Sequence, residues 1–218
     1  MQLFTSTVGR KILMAISGFL MVLFVVVHML GNSTIFFGGL NAYAEHLHAL
    51  PPLVWAFRLV MLTFLTVHVI YGIQLTVENS AANPQGYAVK RQIKANFSSE
   101  NMIWTGVLIF LFIGYHILHF TLRVTPDVAT FAGQVPGDVF GMVVASFSHA
   151  AIALIYVAAM VALFLHLKHG IQSFFQTMGW ASDRSLPVIV KIGAVAAVIF
   201  LIGYSSIPVS ILSGILSK

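Results

Sequence analysis

The sequence has nine histidines and no cysteine. Imidazole is therefore its one plentiful strong metal ligand, and disulfides, thiolate-bound zinc and iron–sulfur clusters held by cysteines of this chain are excluded. Position matters more than number. His46 and His48 lie in a polar stretch, whereas His28, His68, His116, His119, His149, His166 and His169 lie within or at the ends of long apolar blocks. An ionisable side chain inside such a block is expensive and points to function by default. A lone one is more often a packing residue that donates to a neighbouring carbonyl, but one in each of four successive blocks is harder to dismiss. Paired across a helical bundle, two imidazoles can offer nitrogen to both faces of one porphyrin iron, the bis-histidine arrangement suited to electron transfer.

The elements that must position these rings are set by the solvent. The 218 residues are 59% hydrophobic and 8% charged, where an ordinary soluble domain is about one quarter charged. The chain thus reads as one all-α transmembrane domain over residues 1–218. Five blocks are long enough to cross roughly 30 Å of hydrocarbon at about 1.5 Å per residue: 12–31, 53–77, 102–123, 140–167 and 187–212. The connections carry helix breakers: Gly38-Gly39, Pro51-Pro52, Asn83-Pro84, Pro126, Pro136-Gly137 and Pro187. Pro208 falls late in the fifth span, where a kink is expected. Arg10 and Lys11 precede the first block as in a signal peptide, but no small-residue cleavage site follows, so it reads as a retained helix.

The net charge of +5 comes from basic residues in short connections, which serve as topology signals. With alternating spans, Arg10, Lys11, Lys90, Arg91, Lys94, Lys168, Arg184 and Lys191 share one side, and Arg58, Arg123 and Lys218 the other. The N-terminus is expected in the cytoplasm and the C-terminus outside. The polar connections at 78–101 and 168–186 are suited equally to headgroups and to a docked soluble partner.

Depth suggests the pairing. His28 and His116 follow the starts of two outward-running spans by about 16 and 14 residues, roughly 21–24 Å of rise, and should meet in the outer half. His68 and His166 precede the inner ends of two inward-running spans by about nine and one residues, and belong to the inner half. His119 and His169, each three residues beyond a candidate ligand, are expected at the interfaces as propionate or headgroup partners or as solvated rings. Gly72 and Gly170 follow His68 and His166 by four residues, which leaves room for a macrocycle edge or for close helix packing.

In order and spacing, Val-Val-Val-His28-Met-Leu-Gly-Asn, His68-Val-Ile-Tyr-Gly72, Tyr115-His116-Ile-Leu, and His166 with Gly170-Ile-Gln-Ser-Phe and Gly179-Trp180 resemble the dihaem cytochrome b subunit of succinate:quinone oxidoreductases and fumarate reductases, over essentially the whole chain. The resemblance implies two haem b, an outer one on His28 and His116 and an inner one on His68 and His166, with a ligand-free fifth helix. It implies a bacterial-type cytoplasmic membrane, a flavoprotein subunit and an iron–sulfur subunit as partners, and menaquinone or another quinone as substrate. Some menaquinol-oxidising members carry a glutamate two residues before the inner ligand of the fourth helix, thought to conduct protons; Phe164 stands there in this chain.

A quinone site needs an apolar pocket and a group that exchanges protons. Asn32, Glu45, His46 and His48 lie in the outer connection. Glu45 and His46 are the chosen candidates, with helix capping as the plain alternative. Arg58 and Arg123 read either as propionate partners or as headgroup anchors. Two rival readings stand beside this one. Cytochrome b subunits of other respiratory oxidoreductases commonly place two ligands on one helix, and a transporter could use histidines in a proton or metal path.

Overall fold

The computed structural model describes residues 2–82 and 97–216. Lys90, Arg91, Lys94, the Asn83-Pro84 breaker and Lys218 lie outside them. Among the described residues every regular element is helical, and five helices are long and apolar enough to cross a membrane. The physical reason is general: with no water in hydrocarbon, each backbone N–H and C=O must be satisfied within its own segment. Several hydroxyls in the spans obey the same rule. Thr63, Thr66 and Thr76 donate to the carbonyls of Leu59, Leu62 and Gly72, four residues back.

The elements are α1 (Thr7–Ser33), a 3-10 turn (Thr34–Phe37), α2 (Leu40–His48), α3 (Pro51–Ala81), α4 (Met102–His116), α5 (Pro126–Gln134), α6 (Val139–Phe147), α7 (Ala150–Thr177) and α8 (Leu186–Leu212). Ser6 caps α1 by accepting from Gly9 N, and proline opens α3, α5 and α8, where its missing N–H costs nothing. α8 runs through Pro208 without ending. The spans α1, α3, α4 and α7 form a ring in which neighbours in sequence are neighbours in space. α1 packs on α3 and α7, α4 packs on α7 and more lightly on α3, and α8 backs α7 and α1. The diagonals α1–α4 and α3–α7 are not among the packed pairs.

Three expectations change. The apolar run at 140–167 is not one helix: α6 ends at Phe147, Ser148 and His149 interrupt it, and the spanning helix α7 runs on to Thr177. α6 is apolar because it is buried in protein, with Met142, Val144 and Phe147 each under one tenth exposed; hydropathy cannot distinguish protein-facing from lipid-facing residues. The polar residues after Lys168 continue a helix, so the fourth connection is only 178–185. The connections at one end of the bundle, expected as loops, are largely helical, forming α2 and α5.

α2 is tied to α6 through Asn41, which donates to Asp138 Oδ1 at 3.0 Å and accepts from Phe140 N at 2.8 Å, while Asp138 also accepts from Gly141 N. At the opposite end Arg10 of α1 pairs with Glu78 of α3. Replacing Asn41→Ala removes both bonds and should cost about 1–2 kcal/mol, seen as a lower unfolding midpoint in detergent and faster proteolysis between residues 34 and 50.

Candidate functional site

The histidines meet across the diagonals. His28 of α1 and His116 of α4 have ring centres 5.8 Å apart, and His68 of α3 and His166 of α7 have ring centres 6.2 Å apart. Each pair is level within the bundle. His28 lies five residues before Ser33 and His116 five before the end of the π-helical turn Ile117–Thr121, whereas His68 and His166 follow the first residues of α3 and α7 by seventeen and sixteen. The longer reach of α7 resolves the mismatch between the expected depths of His68 and His166.

The hydrogen bonds of three rings determine which nitrogen is free. His68 Nδ1 is 2.9 Å from Met14 O, a carbonyl that can only accept, so Nδ1 carries the proton and Nε2 the lone pair. His166 Nδ1 is 3.1 Å from Thr105 Oγ1. The Thr105 hydroxyl hydrogen is drawn to the carbonyls of Asn101 and Met102, at 3.1 Å each, so Oγ1 accepts from His166. His116 Nδ1 is 3.3 Å from Tyr156 Oη. His28 has only long approaches, both 3.4 Å, from the Asn32 amide, which donates at 2.8 Å to the His28 carbonyl. Anchoring one ring nitrogen on the protein and presenting the other is the usual way a metal-binding imidazole is oriented.

The geometry admits a metal between each pair. An imidazole nitrogen holds a first-row metal at about 2.0–2.1 Å and lies about 1.1 Å from its own ring centre, so two rings on opposite faces of one ion have centres roughly 6.4 Å apart. The observed separations are close to this. A Cβ added at Gly170 would meet nothing within 4 Å, and one at Gly72 only Met14 Sδ at 3.9 Å, so neither glycine is held by close helix packing.

Two other glycines hold the rings themselves. A Cβ on Gly18 would fall 2.8 Å from His68 Cε1, and one on Gly106 would fall 3.4 Å from His166 Cε1. Gly18 precedes His28 by ten residues and Gly106 precedes His116 by ten. At about 1.5 Å per residue this is roughly 15 Å along the axis, so α1 and α4 each carry a ring at one height and clear space for a ring at the other. This spacing was readable in the sequence, but it acquires meaning only once the facing helices are known.

The other candidates are placed as follows. Glu45 and His46 are exposed on α2. His48, Arg58 and Arg123 line one cavity of about 480 Å³ together with Phe120 and Thr121. Arg123 has φ 56°, a left-handed conformation uncommon for a side chain with a Cβ, just beyond the π-helical turn. His169 is half-buried, and its Nδ1 has no partner among the described residues. His149 stands at the residue before α7, and its side chain makes no capping hydrogen bond. Phe164 packs in the apolar seam between α7, α1 and α8, with Lys168 Nζ 6.0 Å from its ring centre.

His119 departs most from expectation. It is not solvated and does not face headgroups; it is wholly buried, at 0% exposure. Its Nδ1 lies 2.8 Å from Tyr156 Oη, and its Nε2 lies 2.9 Å from Asp127 Oδ2 and 2.7 Å from Ser146 Oγ. The turn that carries it is π-helical, so a register built on 3.6 residues per turn fails there. Asp127 and Ser146 were not singled out in the sequence, and nothing in their spacing marks them. Compared with models of protein families, with curated proteins and with solved structures, the chain matches none.

The close approach at Gly18 gives a specific expectation. Gly18→Val should displace His68 from Met14 and lower the unfolding midpoint in detergent, measured by thermal melting against the parent.

Proposed function

We propose that this chain is the membrane-anchoring dihaem cytochrome b subunit of a succinate dehydrogenase or fumarate reductase, carrying electrons between a quinone, menaquinone or a relative, and an iron–sulfur subunit. One observation carries this reading: two diagonal histidine pairs, at two heights of a transmembrane bundle, have ring separations suited to one shared metal ion, and three of the four rings have Nδ1 committed to protein. His28 and His116 would hold the outer haem b, and His68 and His166 the inner one. Haem b, when bound, supplies reversible one-electron chemistry.

The chain's own residues do the rest. Met14, Thr105 and Tyr156 hold three of the ligand rings, Gly18 and Gly106 admit two of them, and the apolar faces of the bundle exclude water. α8, without histidine, supports α1 near His28: Tyr204 donates to Val25 O at 2.7 Å, and its ring lies 6.1 Å from that of His28. The division of labour agrees with the resemblance in sequence, with dicarboxylate chemistry on a flavoprotein subunit docked at the basic, cytoplasmic end. Each of four helices supplies one ring, which favours this class over cytochromes with two ligands per helix.

Purified in mild detergent, the protein should show two haem b per chain and copurify with a flavoprotein and an iron–sulfur protein. His28→Ala or His116→Ala should remove one haem, and His68→Ala or His166→Ala the other. Fewer than about 1.5 haems per chain, or a spectrum without reduced haem bands, would favour the transporter reading.

The quinone is assigned to the outer end, where α2 presents Glu45 and His46 beside the cavity lined by His48, Arg58 and Arg123. Glu45→Gln and His46→Ala should each slow quinone turnover by about tenfold or more, in the range of a lost acid–base group, with haem content unchanged. Unchanged turnover in both would remove Glu45 and His46 from the site.

A further inference from the structure

The buried cluster around His119 forms a chain with a definite direction. Asp127 is the only carboxylate in it, and an ionised carboxylate can only accept. Its Oδ2 accepts from Ser146 Oγ at 2.6 Å and from His119 Nε2 at 2.9 Å. With the proton of a neutral His119 on Nε2, its Nδ1 is an acceptor, so the Tyr156 hydroxyl donates to it across 2.8 Å. The lone pairs of Tyr156 Oη then face His116 Nδ1 at 3.3 Å, and His116 donates. Each donor follows from the one before it, from the carboxylate to the ring of His116. The proton of His116 is thereby on Nδ1 and its Nε2 is the free nitrogen.

Packing keeps the chain in place. Phe120 stacks on His119 with ring centres 4.0 Å apart, and Phe147 and Phe112 close on the Tyr156 ring at 4.8 and 4.9 Å. Ser146 is 1% exposed and Tyr156 7%. Hydrogen bonds in such a dry setting strengthen one another along a chain. Simple helix packing would not need a carboxylate linked through two side chains to a ligand ring, and the partly exposed Asp127 carboxylate is bonded to both Ser146 and the wholly buried His119.

We propose that Asp127, His119 and Tyr156 are positioning residues for His116: their hydrogen-bond chain holds its ring and tautomer and makes it a more electron-donating ligand. This rests on the haem reading above. A ligand that donates its Nδ1 proton to an acceptor backed by a carboxylate favours the oxidised iron, so weakening the chain should raise the reduction potential at that site alone. His68, which donates to a single backbone carbonyl, belongs to the site that serves as the internal reference.

The test is an optical redox titration of the purified complex carrying Tyr156→Phe or Asp127→Asn, with the haem missing in His116→Ala identifying the outer site. Tyr156→Phe keeps the ring and removes only the hydroxyl. It should shift the outer reduction equilibrium toward the reduced form about tenfold, or 59 mV for one electron, with the inner haem unmoved and low-spin electron paramagnetic resonance signals altered only at the outer site. Asp127→Asn should shift it in the same direction by less, and Asp127→Glu should restore it. Selective loss of the outer haem in Tyr156→Phe also supports the positioning role.

An outer potential within twofold of the parent in Tyr156→Phe overturns the proposal, as does a shift in Asp127→Asn without one in Tyr156→Phe, which would reflect the carboxylate's field alone. If either variant fails to assemble, the other decides, and equal shifts at both haems would mean a general change of fold and overturn the proposal. Absence of haem from the parent protein would instead defeat the proposed function.

Discussion

A ring nitrogen that cannot reach water must find a partner in the protein, and this constraint organises the bundle. In hydrocarbon an unpaired N–H costs several kcal/mol, and three of the four paired imidazoles commit Nδ1 to a nearby acceptor. Met14 O, Thr105 Oγ1 and Tyr156 Oη fill that role for His68, His166 and His116. The ring centres of the diagonal pairs lie 5.8 and 6.2 Å apart.

The helix arrangement follows from that requirement. A ring shared between two diagonals needs the diagonals held apart and the neighbours close, and this is the observed packing: α1 on α3, α4 on α7, with α8 outside. The aromatic cluster of Phe112, Tyr115, Phe120, Phe147 and Tyr156 closes one end around His119. The tie between Asn41 and Asp138 joins α2 to the start of α6 at that end.

Much of this was legible in the sequence. Long apolar blocks with few charges dictate spanning helices, and ligand-type residues in four of five blocks identify the pairs, because hydropathy and helical rise are local properties. What was hidden depends on partners distant in sequence. The apolar character of α6 looks the same whether lipid or protein covers it, so the break at Ser148 and His149 was missed. The burial of His119 depends on a π-helical turn and on Asp127 and Ser146, and no spacing rule connects the three. Gly72 and Gly170 were noticed because they follow a histidine on the same helix. Gly18 and Gly106, which touch the rings, lie on other helices.

The ten-residue interval shared by Gly18 and His28, by Gly106 and His116, and by Tyr156 and His166 means that three of the ring-bearing helices serve both levels of the bundle. A rigid rod that presents a ligand at one level and a socket or strut at the other cannot be turned or shifted for one without disturbing both. A substitution that tilts one of these helices at one histidine pair is therefore felt at the other pair as well.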